Sequence, residues 1–247
     1  LYTAMLSPQG KFLFDFIIIE EKSKFLLEVN ENDIESLITL IKKYDLRDSI
    51  NTTIEKKLHT SFLLYEDVSS SILKDVKKSK ILKTNNNFIF SDPRKDSFLI
   101  RIWSSQENLQ ELHNNLCINR SDINLNLVRI KNLIPDSSID LEKNKSFILN
   151  FNFDLLNAIS FTKGCYLGQE NTSRQNYRGK IKYTLRTIKL INGNFPELHE
   201  TIFVNNQKIG TMKSYHGNYG LALLRTDYVK INNQFTLDKC NSELIVI

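Results

Sequence analysis

KGCYLGQE, residues Lys163 to Glu170, places one cysteine in a short segment with two glycines and with charged residues near both ends. A cysteine that serves only packing normally lies on an apolar face. A lysine two residues before a thiol favours its reactive form. These features favour a functional thiol at Cys165, although a structural turn that contains a small cysteine remains the alternative.

The residues around Cys165 offer a polar edge to a ligand. Glycine permits close backbone approaches, so Gly164 and Gly168 could bring main-chain amides to a bound molecule. Gln169 can donate and accept hydrogen bonds, and Glu170 can accept them from N–H groups. The motif therefore combines a soft nucleophile with a recognition surface.

The other two cysteines, Cys117 and Cys240, share no metal-ligand spacing with Cys165 or with each other. An odd number of cysteines argues against a secreted disulfide framework and favours a reducing compartment. Cys117 ends the pattern LQELHNNLCI and is predicted to be a buried helix residue. Cys240 lies in the polar segment LDKCNSE, for which we predict no chemical role.

The composition is that of a globular protein, with 41% hydrophobic and 25% charged residues. A chain of 247 residues is long enough for two or three modules. Its net charge of +5 suits anionic ligands, while the lysines of residues 74–83 are most simply a solvated surface. No transmembrane span or signal peptide is predicted. Because LYTAML resembles the inside of a strand, we expect that an N-terminal piece is missing.

The first half of the chain predicts strands alternating with helices. Strands over FLFDFIII and KFLLEV precede an amphipathic helix over ENDIESLITLIKKYDL. Further strands are predicted over HTSFLLYED, NNNFIFSDPR and FLIRIW, and this alternation favours a split βαβ, ferredoxin-like module.

The second half begins with predicted helices and ends in strands. Helical patterns continue from Ser104 to Pro135 and return in FDLLNAISF, directly before the cysteine motif. A polar turn is predicted after the motif. There Arg178 would carry positive charge toward a pocket or a client, and Gly179 would permit the bend into the next strand. Short strand-like runs such as IKYTLRTIKLI and GLALLRTDYV then predict a small β-barrel or sandwich.

The motif, together with Arg178 and Gly179, resembles the signature of the YgfZ family. These are folate-binding iron–sulfur cluster assembly proteins related to the glycine-cleavage T-protein (GcvT). The stretches LSPQGKFLFDF, LIKKYDLRDSI, SDPR and GLALLR resemble the family as well, so the resemblance covers nearly the whole chain. Two departures stand out. The family usually has a further strand and helix upstream of PQGK, and it usually has P-x-E where this chain has Ile148-Leu149-Asn150.

The resemblance implies an α+β fold, a GcvT/YgfZ-like ring of ferredoxin-like α/β modules with a C-terminal small β-barrel. Residues 1–31 and 106–176 would form a discontinuous domain that carries the motif. Residues 32–105 would form an inserted ferredoxin-like domain, and residues 177–247 would form the barrel.

The resemblance also implies a function in the assembly, insertion or maintenance of iron–sulfur clusters, with Cys165 as the functional thiol. Tetrahydrofolate or a related reduced folate would be the ligand, and a transient iron–sulfur cluster a second one. The residues expected to bind folate are Lys163, Gly164, Tyr166, Gly168, Gln169, Glu170 and Arg178. Asn150 lacks the charge of the usual glutamate, which affects pterin affinity or selectivity.

Partners implied by the resemblance are folate and iron–sulfur client proteins or their assembly machinery. Nucleic acid and membranes are not expected partners, and a monomer is expected. The location would be cytoplasmic in a bacterium or the mitochondrial matrix in a eukaryote. Two alternatives remain open. The first is a tetrahydrofolate-dependent aminomethyltransferase-like enzyme, and the second is a module that binds RNA or another anion.

Overall fold

A computed structural model of the chain describes residues 1–84, 87–96, 98–109, 124–179, 181–229, 234–239 and 241–247. The chain folds into two compact units. Unit 1 comprises Leu1–Asp33 and Ile123–Ile247, and unit 2 comprises Ile34–Asp122. The motif-bearing segment and the β-rich end of the chain share unit 1, and the finer domain boundary at residue 176 stays a prediction. None of the helices in these described ranges has the length and apolar character of a membrane span.

Unit 1 begins with a small antiparallel sheet whose strands agree with the sequence prediction. The aromatic and β-branched residues of this stretch favour extended structure. Tyr2 and Phe12 pack on Phe153, with ring centroids 5.7 Å and 6.1 Å away. The strands are β1 (Tyr2–Leu6), β2 (Phe12–Glu21) and β3 (Lys24–Glu28), in that order across the sheet.

Unit 2 consists of a four-stranded sheet and amphipathic helices. Val76 on one of these helices is buried in a cluster with Ile89 and Ile100 of the sheet. The elements are α1 (Ile34–Tyr44), β4 (His59–Leu64), α2 (Ser70–Ser79), β5 (Ile81–Thr84), β6 (Asn87–Ser91) and β7 (Leu99–Ser104).

The topology of this sheet differs from the split βαβ arrangement that the sequence predicted. The strand order is β4-β7-β6-β5, and every neighbouring pair among the described strands is antiparallel. A split βαβ unit would place a parallel pair at the centre. Here β5, β6 and β7 follow one another through short connections, which join antiparallel neighbours. β4 then pairs with the free edge of β7.

A buried ion pair joins the turn after β6 to β7. Asp92 accepts hydrogen bonds from Arg94 Nη2 and from Arg101 Nε, each at 2.8 Å. The Asp92 side chain is fully buried. Burial alone would raise its pKa, but the charges and hydrogen bonds of the two arginines lower the pKa of Asp92 to about 2.

The β-rich part of unit 1 forms one antiparallel sheet, as predicted for the end of the chain. Ile188, Met212 and Leu244 are fully buried in its core. The strands are β8 (Tyr183–Asn192), β9 (Thr201–Val204), β10 (Gln207–His216), β11 (Tyr219–Arg225), β12 (Gln234–Thr236) and β13 (Glu243–Val246), in the order β12-β13-β8-β11-β10-β9.

Two short helices, α3 (Leu125–Lys131) and α4 (Ser137–Asp140), precede the cysteine motif. The α3 helix lies against the β-rich sheet, where Thr187 Oγ1 donates to the carbonyl oxygen of Ile130 at 2.9 Å. Its N-cap is Asn124, whose side chain accepts from Leu127 N.

The prediction of a helix over FDLLNAISF is wrong. A 3₁₀ turn, Ile148–Phe151, is followed by turns up to residue 157. Asn152 and Asn157 have φ angles of 60° and 59°, and residues in this left-handed region end a right-handed helix. Asparagine tolerates this conformation better than most residues.

A helix, α5 (Gln169–Tyr177), begins inside the motif and continues through the segment after it, where a polar turn was predicted. It lacks an apolar stripe, which is the usual sequence signal for a helix. Its buried residue is Thr172, whose hydroxyl donates to the carbonyl oxygen of Gly168 at 3.1 Å.

Gly168, the N-cap of α5, lies directly against Gly10 in the turn between β1 and β2. Both have positive φ angles, 82° and 73°. A Cβ atom on Gly168 would lie 2.7 Å from the Ser7 carbonyl oxygen and 2.9 Å from Gly10 Cα. Asn171 Nδ2 adds a hydrogen bond of 2.9 Å to the Gln9 carbonyl oxygen. The stretches LSPQGK and KGCYLGQE are therefore packed directly against each other, although they are far apart in sequence.

Gly168→Ala is expected to destabilise unit 1 by about 2 kcal/mol or more, because the left-handed conformation is strained and the added carbon meets backbone. Thermal unfolding followed by circular dichroism measures the effect. Gly164→Ala is the matched control in the same motif, since an added Cβ there meets nothing within 4 Å. Equal melting temperatures for the two variants would contradict the close backbone contact.

The Asp92 ion pair predicts acid sensitivity of unit 2. The folded-state pKa of about 2 lies below the ordinary 3.8, so this stabilisation is complete above the higher value. It is lost as the pH falls through about 2. The loss amounts to about 2 kcal/mol.

The fluorescence of the single tryptophan, Trp103, can measure how the stability of unit 2 depends on pH. Its ring packs edge-on against Phe88 and Phe90 in the unit 2 sheet, with centroids 6.2 Å and 5.1 Å away, so its fluorescence follows unit 2 unfolding in urea. Asp92→Asn should lower stability at neutral pH by about 3 kcal/mol and flatten the acid dependence. Asp96→Asn, at an exposed neighbour, is the control. The assignment fails if the two variants share one pH profile.

Candidate functional site

Cys165 is a free, exposed thiol in the segment that precedes α5. Two reciprocal hydrogen bonds close the chain just after it. Tyr166 N donates to Gln169 Oε1 at 3.4 Å, and Gln169 N donates to the Tyr166 carbonyl oxygen at 3.1 Å. Together with the buried Gly168, these bonds fix the base of the cysteine segment while its thiol faces solvent.

Lys163 and Tyr166 flank the cysteine and interact with each other. The Lys163 ammonium lies 4.7 Å from the centroid of the Tyr166 ring, a cation–π distance. The Tyr166 hydroxyl is buried without a hydrogen-bond partner among the described residues. Burial raises the pKa of Tyr166, so this phenol stays neutral. A positive charge is thereby held on an aromatic ring next to the residue that carries the thiol.

The outer face of α5 lines an open pocket of about 660 Å³, which we call the α5 pocket. All of its lining residues belong to α5 or to its C-cap, so it is an open depression along one helix. The lining consists of hydrogen-bonding side chains, two of them arginines. The residues are Gln169, Glu170, Ser173, Arg174, Tyr177 and Arg178.

Three of the residues expected to bind folate, Gln169, Glu170 and Arg178, meet in the α5 pocket. Lys163, Gly164 and Tyr166 are not among its lining residues. Gly168 is buried against Gly10, so its surroundings are protein backbone. The assignment of all seven as folate ligands stays a prediction.

Sequence reasoning missed Ser173, Arg174 and Tyr177. The spacing of polar residues could have identified them. Glu170, Arg174 and Arg178 are four residues apart, as are Gln169, Ser173 and Tyr177. In a helix this spacing places both series on one face. Arg174 Nη2 donates to Glu170 Oε1 at 2.7 Å. Tyr177 contacts Phe161 edge-on, with ring centroids 5.9 Å apart.

At the end of α5, Arg178 is exposed and Gly179 lies close to the last helical turn. Gly179 N donates to the Arg174 carbonyl oxygen at 2.9 Å. A Cβ at Gly179 would lie 3.1 Å from the Gln175 carbonyl oxygen, a tight contact. Glycine therefore suits the exit from the helix toward β8.

Asn150, at the position of the glutamate in the P-x-E pattern, is engaged inside the protein. Its Oδ1 accepts a hydrogen bond of 2.8 Å from Gln175 Nε2 on the inner side of α5. The pair is neutral, and it connects the 3₁₀ turn to the motif helix. Asn150 thus helps to hold α5 on the 3₁₀ turn.

No cluster of three or more His, Cys, Asp or Glu side chains arranged to hold a metal occurs in the described ranges. Cys117, predicted to be a buried helix residue, and Cys240 lie outside those ranges. Ser121, His113 and most of LQELHNNLCI lie outside them as well.

Comparison with known proteins identifies relatives along most of the chain. Residues 184–246 match the family model of the CAF17 C-terminal beta-barrel domain. The mitochondrial iron–sulfur cluster assembly factor IBA57 of Mus musculus is 26% identical over 93% of this chain and 66% of its own length. The homologue in Coccidioides immitis is 26% identical over 79% of this chain and 48% of its own length.

The chain thus spans between about half and two thirds of the length of these relatives. In a third relative, human IBA57, identity reaches 32% over 39% of this chain and 28% of that protein. All three relatives are named as mitochondrial, which agrees with the location expected for a eukaryotic chain.

Among solved structures, the glycine cleavage system aminomethyltransferase T of Bartonella henselae superposes with a TM-score of 0.70. The match covers 99% of this chain and 73% of that one at 12% identity, so it establishes the fold. The expected GcvT-like fold class with a C-terminal β-barrel is confirmed. The chain is similar in sequence to IBA57 iron–sulfur cluster assembly factors over most of its length, and it has the fold of a glycine-cleavage aminomethyltransferase.

Proposed function

We propose that the protein acts in the assembly or maintenance of iron–sulfur clusters, with Cys165 as its functional thiol and a reduced folate as its ligand. The observation that carries the proposal is a free, exposed cysteine directly before α5, in a segment whose end is packed against Gly10. The names of the curated relatives support the same process and a mitochondrial location.

The thiol is suited to contact with a partner protein. A thiolate is the form that attacks electrophiles and ligates iron. Clusters are commonly held by four thiolates, so Cys165 contributes one ligand and a client or assembly protein contributes others. The cluster is then a substrate in transit. The exposed side chain of Leu167 next to the cysteine adds apolar contact area.

The α5 pocket is suited to a folate. Folates carry a planar heterocycle with amide-like edges and a glutamate tail with carboxylates. Arg174 and Arg178 match the carboxylates, since a guanidinium binds a carboxylate through two parallel hydrogen bonds. Gln169 and Ser173 supply neutral donors and acceptors, and Tyr177 supplies an aromatic face. These contacts bind and orient, and they require no change in the folate.

The one-carbon transferase alternative has the same fold and ligand, but its chemistry would use a placed carboxylate. Asn150 is neutral and hydrogen-bonded to Gln175. This observation favours the assembly function over a transferase. An assay of aminomethyl transfer to tetrahydrofolate distinguishes the two.

Cys165→Ala is expected to fold normally and to lose the ability to support iron–sulfur enzymes. The side chain is exposed, so its truncation removes little packing. The measurement is activity of an iron–sulfur enzyme in cells that lack the endogenous homologue, with Cys240→Ala, which removes a cysteine outside the motif, as the matched control. Full rescue by Cys165→Ala would show that the thiol is dispensable.

Tetrahydrofolate is expected to bind with a Kd of about 1 μM, or about −8 kcal/mol. Arg174→Ala and Arg178→Ala should each weaken binding about tenfold, which is about 1.4 kcal/mol for a lost charge-assisted contact. Cys165→Ala should leave the Kd unchanged, because the recognition contacts do not include sulfur. Isothermal titration calorimetry measures all three, and Lys182→Ala, an exposed cation outside the pocket lining, is the control. Absence of binding at millimolar folate would remove folate from the proposed function.

A further inference from the structure

A cationic cluster separate from the α5 pocket lies on the β-rich sheet of unit 1, on the face that contacts α3. His216 pairs with Tyr219, and Tyr219 pairs with Lys189, across the neighbouring strands β10, β11 and β8. Directly paired residues project on the same face of a sheet. The three side chains therefore form a row. From α3, Lys131 and the N-cap Asn124 reach toward this row.

Two ammonium groups converge on one aromatic ring in this cluster. Lys131 Nζ lies 4.7 Å and Lys189 Nζ 5.9 Å from the centroid of the Tyr219 ring. Neither lysine has a carboxylate partner among the described residues. Lysines near the C-terminus of a helix are favoured by its dipole, which explains Lys131 but not Lys189. The ring attracts both cations, while the cations repel each other.

His216 and Asn124 extend the cluster with an oriented donor. Asn124 Oδ1 accepts from Leu127 N at 3.1 Å, which fixes the direction of the amide. The Asn124 Nδ2 group therefore faces His216 Nε2, 2.8 Å away, and donates to it. An imidazole that accepts at Nε2 carries its proton on Nδ1. The Nδ1–H group can then donate a hydrogen bond to a ligand.

We propose that this lysine–tyrosine cluster, formed by Lys131, Lys189, Tyr219, His216 and Asn124, binds the phosphate group of a small molecule. A phosphate monoester carries close to two negative charges at neutral pH, which match the two ammonium groups. Its oxygens accept hydrogen bonds from lysine, tyrosine and imidazole donors. Binding would also relieve the repulsion between the two lysines. The proposal is independent of the proposed function, because the cluster shares no residue with the α5 pocket or the cysteine segment.

The first test is calorimetric titration of the whole chain with inorganic phosphate and with pyrophosphate at constant ionic strength. Binding in the millimolar range, about −4 kcal/mol, is expected for phosphate, with tighter binding for pyrophosphate. Lys131→Gln/Lys189→Gln should weaken both by about tenfold or more. Tyr219→Leu should also weaken binding, because the ring that holds the ammonium groups is lost.

The matched control is Lys77→Gln/Lys83→Gln in unit 2. It removes the same charge, and each of its lysines also lies over an aromatic ring, at 5.7 Å from Tyr65 and 5.3 Å from Phe88. This control should bind phosphate like the wild type. Equal losses in the two double variants, or no saturable phosphate binding in the wild type, would overturn the proposal.

Two further measurements separate the possible outcomes. Phosphate should raise the melting temperature of the wild type and not of Lys131→Gln/Lys189→Gln, because a ligand that binds only the folded state stabilises it. A single-stranded oligoribonucleotide tests the phosphodiester source. If it binds more tightly than pyrophosphate and loses affinity equally in both double variants, general electrostatic attraction explains the binding and the small-molecule site is wrong.

Discussion

The contact between Gly10 and Gly168 is the constraint on which the site depends. Two backbones with positive φ approach so closely that Gly168 has no space for a Cβ atom and that a Cβ atom on Gly10 would make a tight contact, 3.0 Å from the Gly168 carbonyl oxygen. This contact sets where α5 starts and holds its first turn on the β1–β2 turn, with the Asn171 hydrogen bond to Gln9 alongside. Because the base is fixed by backbone, the cysteine segment can remain exposed without losing its position.

A second set of contacts connects α5 to the β-rich sheet through the 3₁₀ turn. Asn150 binds Gln175 of the helix, and Asn152 Nδ2 donates to the Leu185 carbonyl oxygen of β8 at 3.1 Å. Between them, Phe151 is buried. The turn therefore holds the motif helix on one side and the sheet on the other. In this chain the Asn150 side chain accepts a hydrogen bond from α5 and so helps to hold the helix on the 3₁₀ turn.

The positive charges of the chain are used in different ways. Arg94 and Arg101 are paired with the buried Asp92, and Arg129 is paired with the buried Asp140. These pairs hold loops and helices in place. Arg178 and Lys163 lie at the motif, while Lys131 and Lys189 meet on Tyr219. Although the net charge is only +5, positive side chains group on two separate surfaces, the α5 pocket and the lysine–tyrosine cluster.

The sequence by itself determined the strands β1 to β3 and the β-rich end of the chain, because alternating hydrophobicity is a local signal. The functional role of the glycine-flanked Cys165 stays a prediction. Sequence reasoning failed for FDLLNAISF, where Asn157 within the stretch and Asn152 directly before it adopt left-handed angles. It also failed for α5, whose inner face is polar and therefore lacks an apolar stripe. The antiparallel pairing of β4 with β7 and the union of PQGK with the cysteine motif were decided only by tertiary structure. Strand pairing and glycine-to-glycine packing both join residues that are far apart in the chain. A local sequence pattern shows that a glycine is present, but it does not show which distant backbone will pack against it.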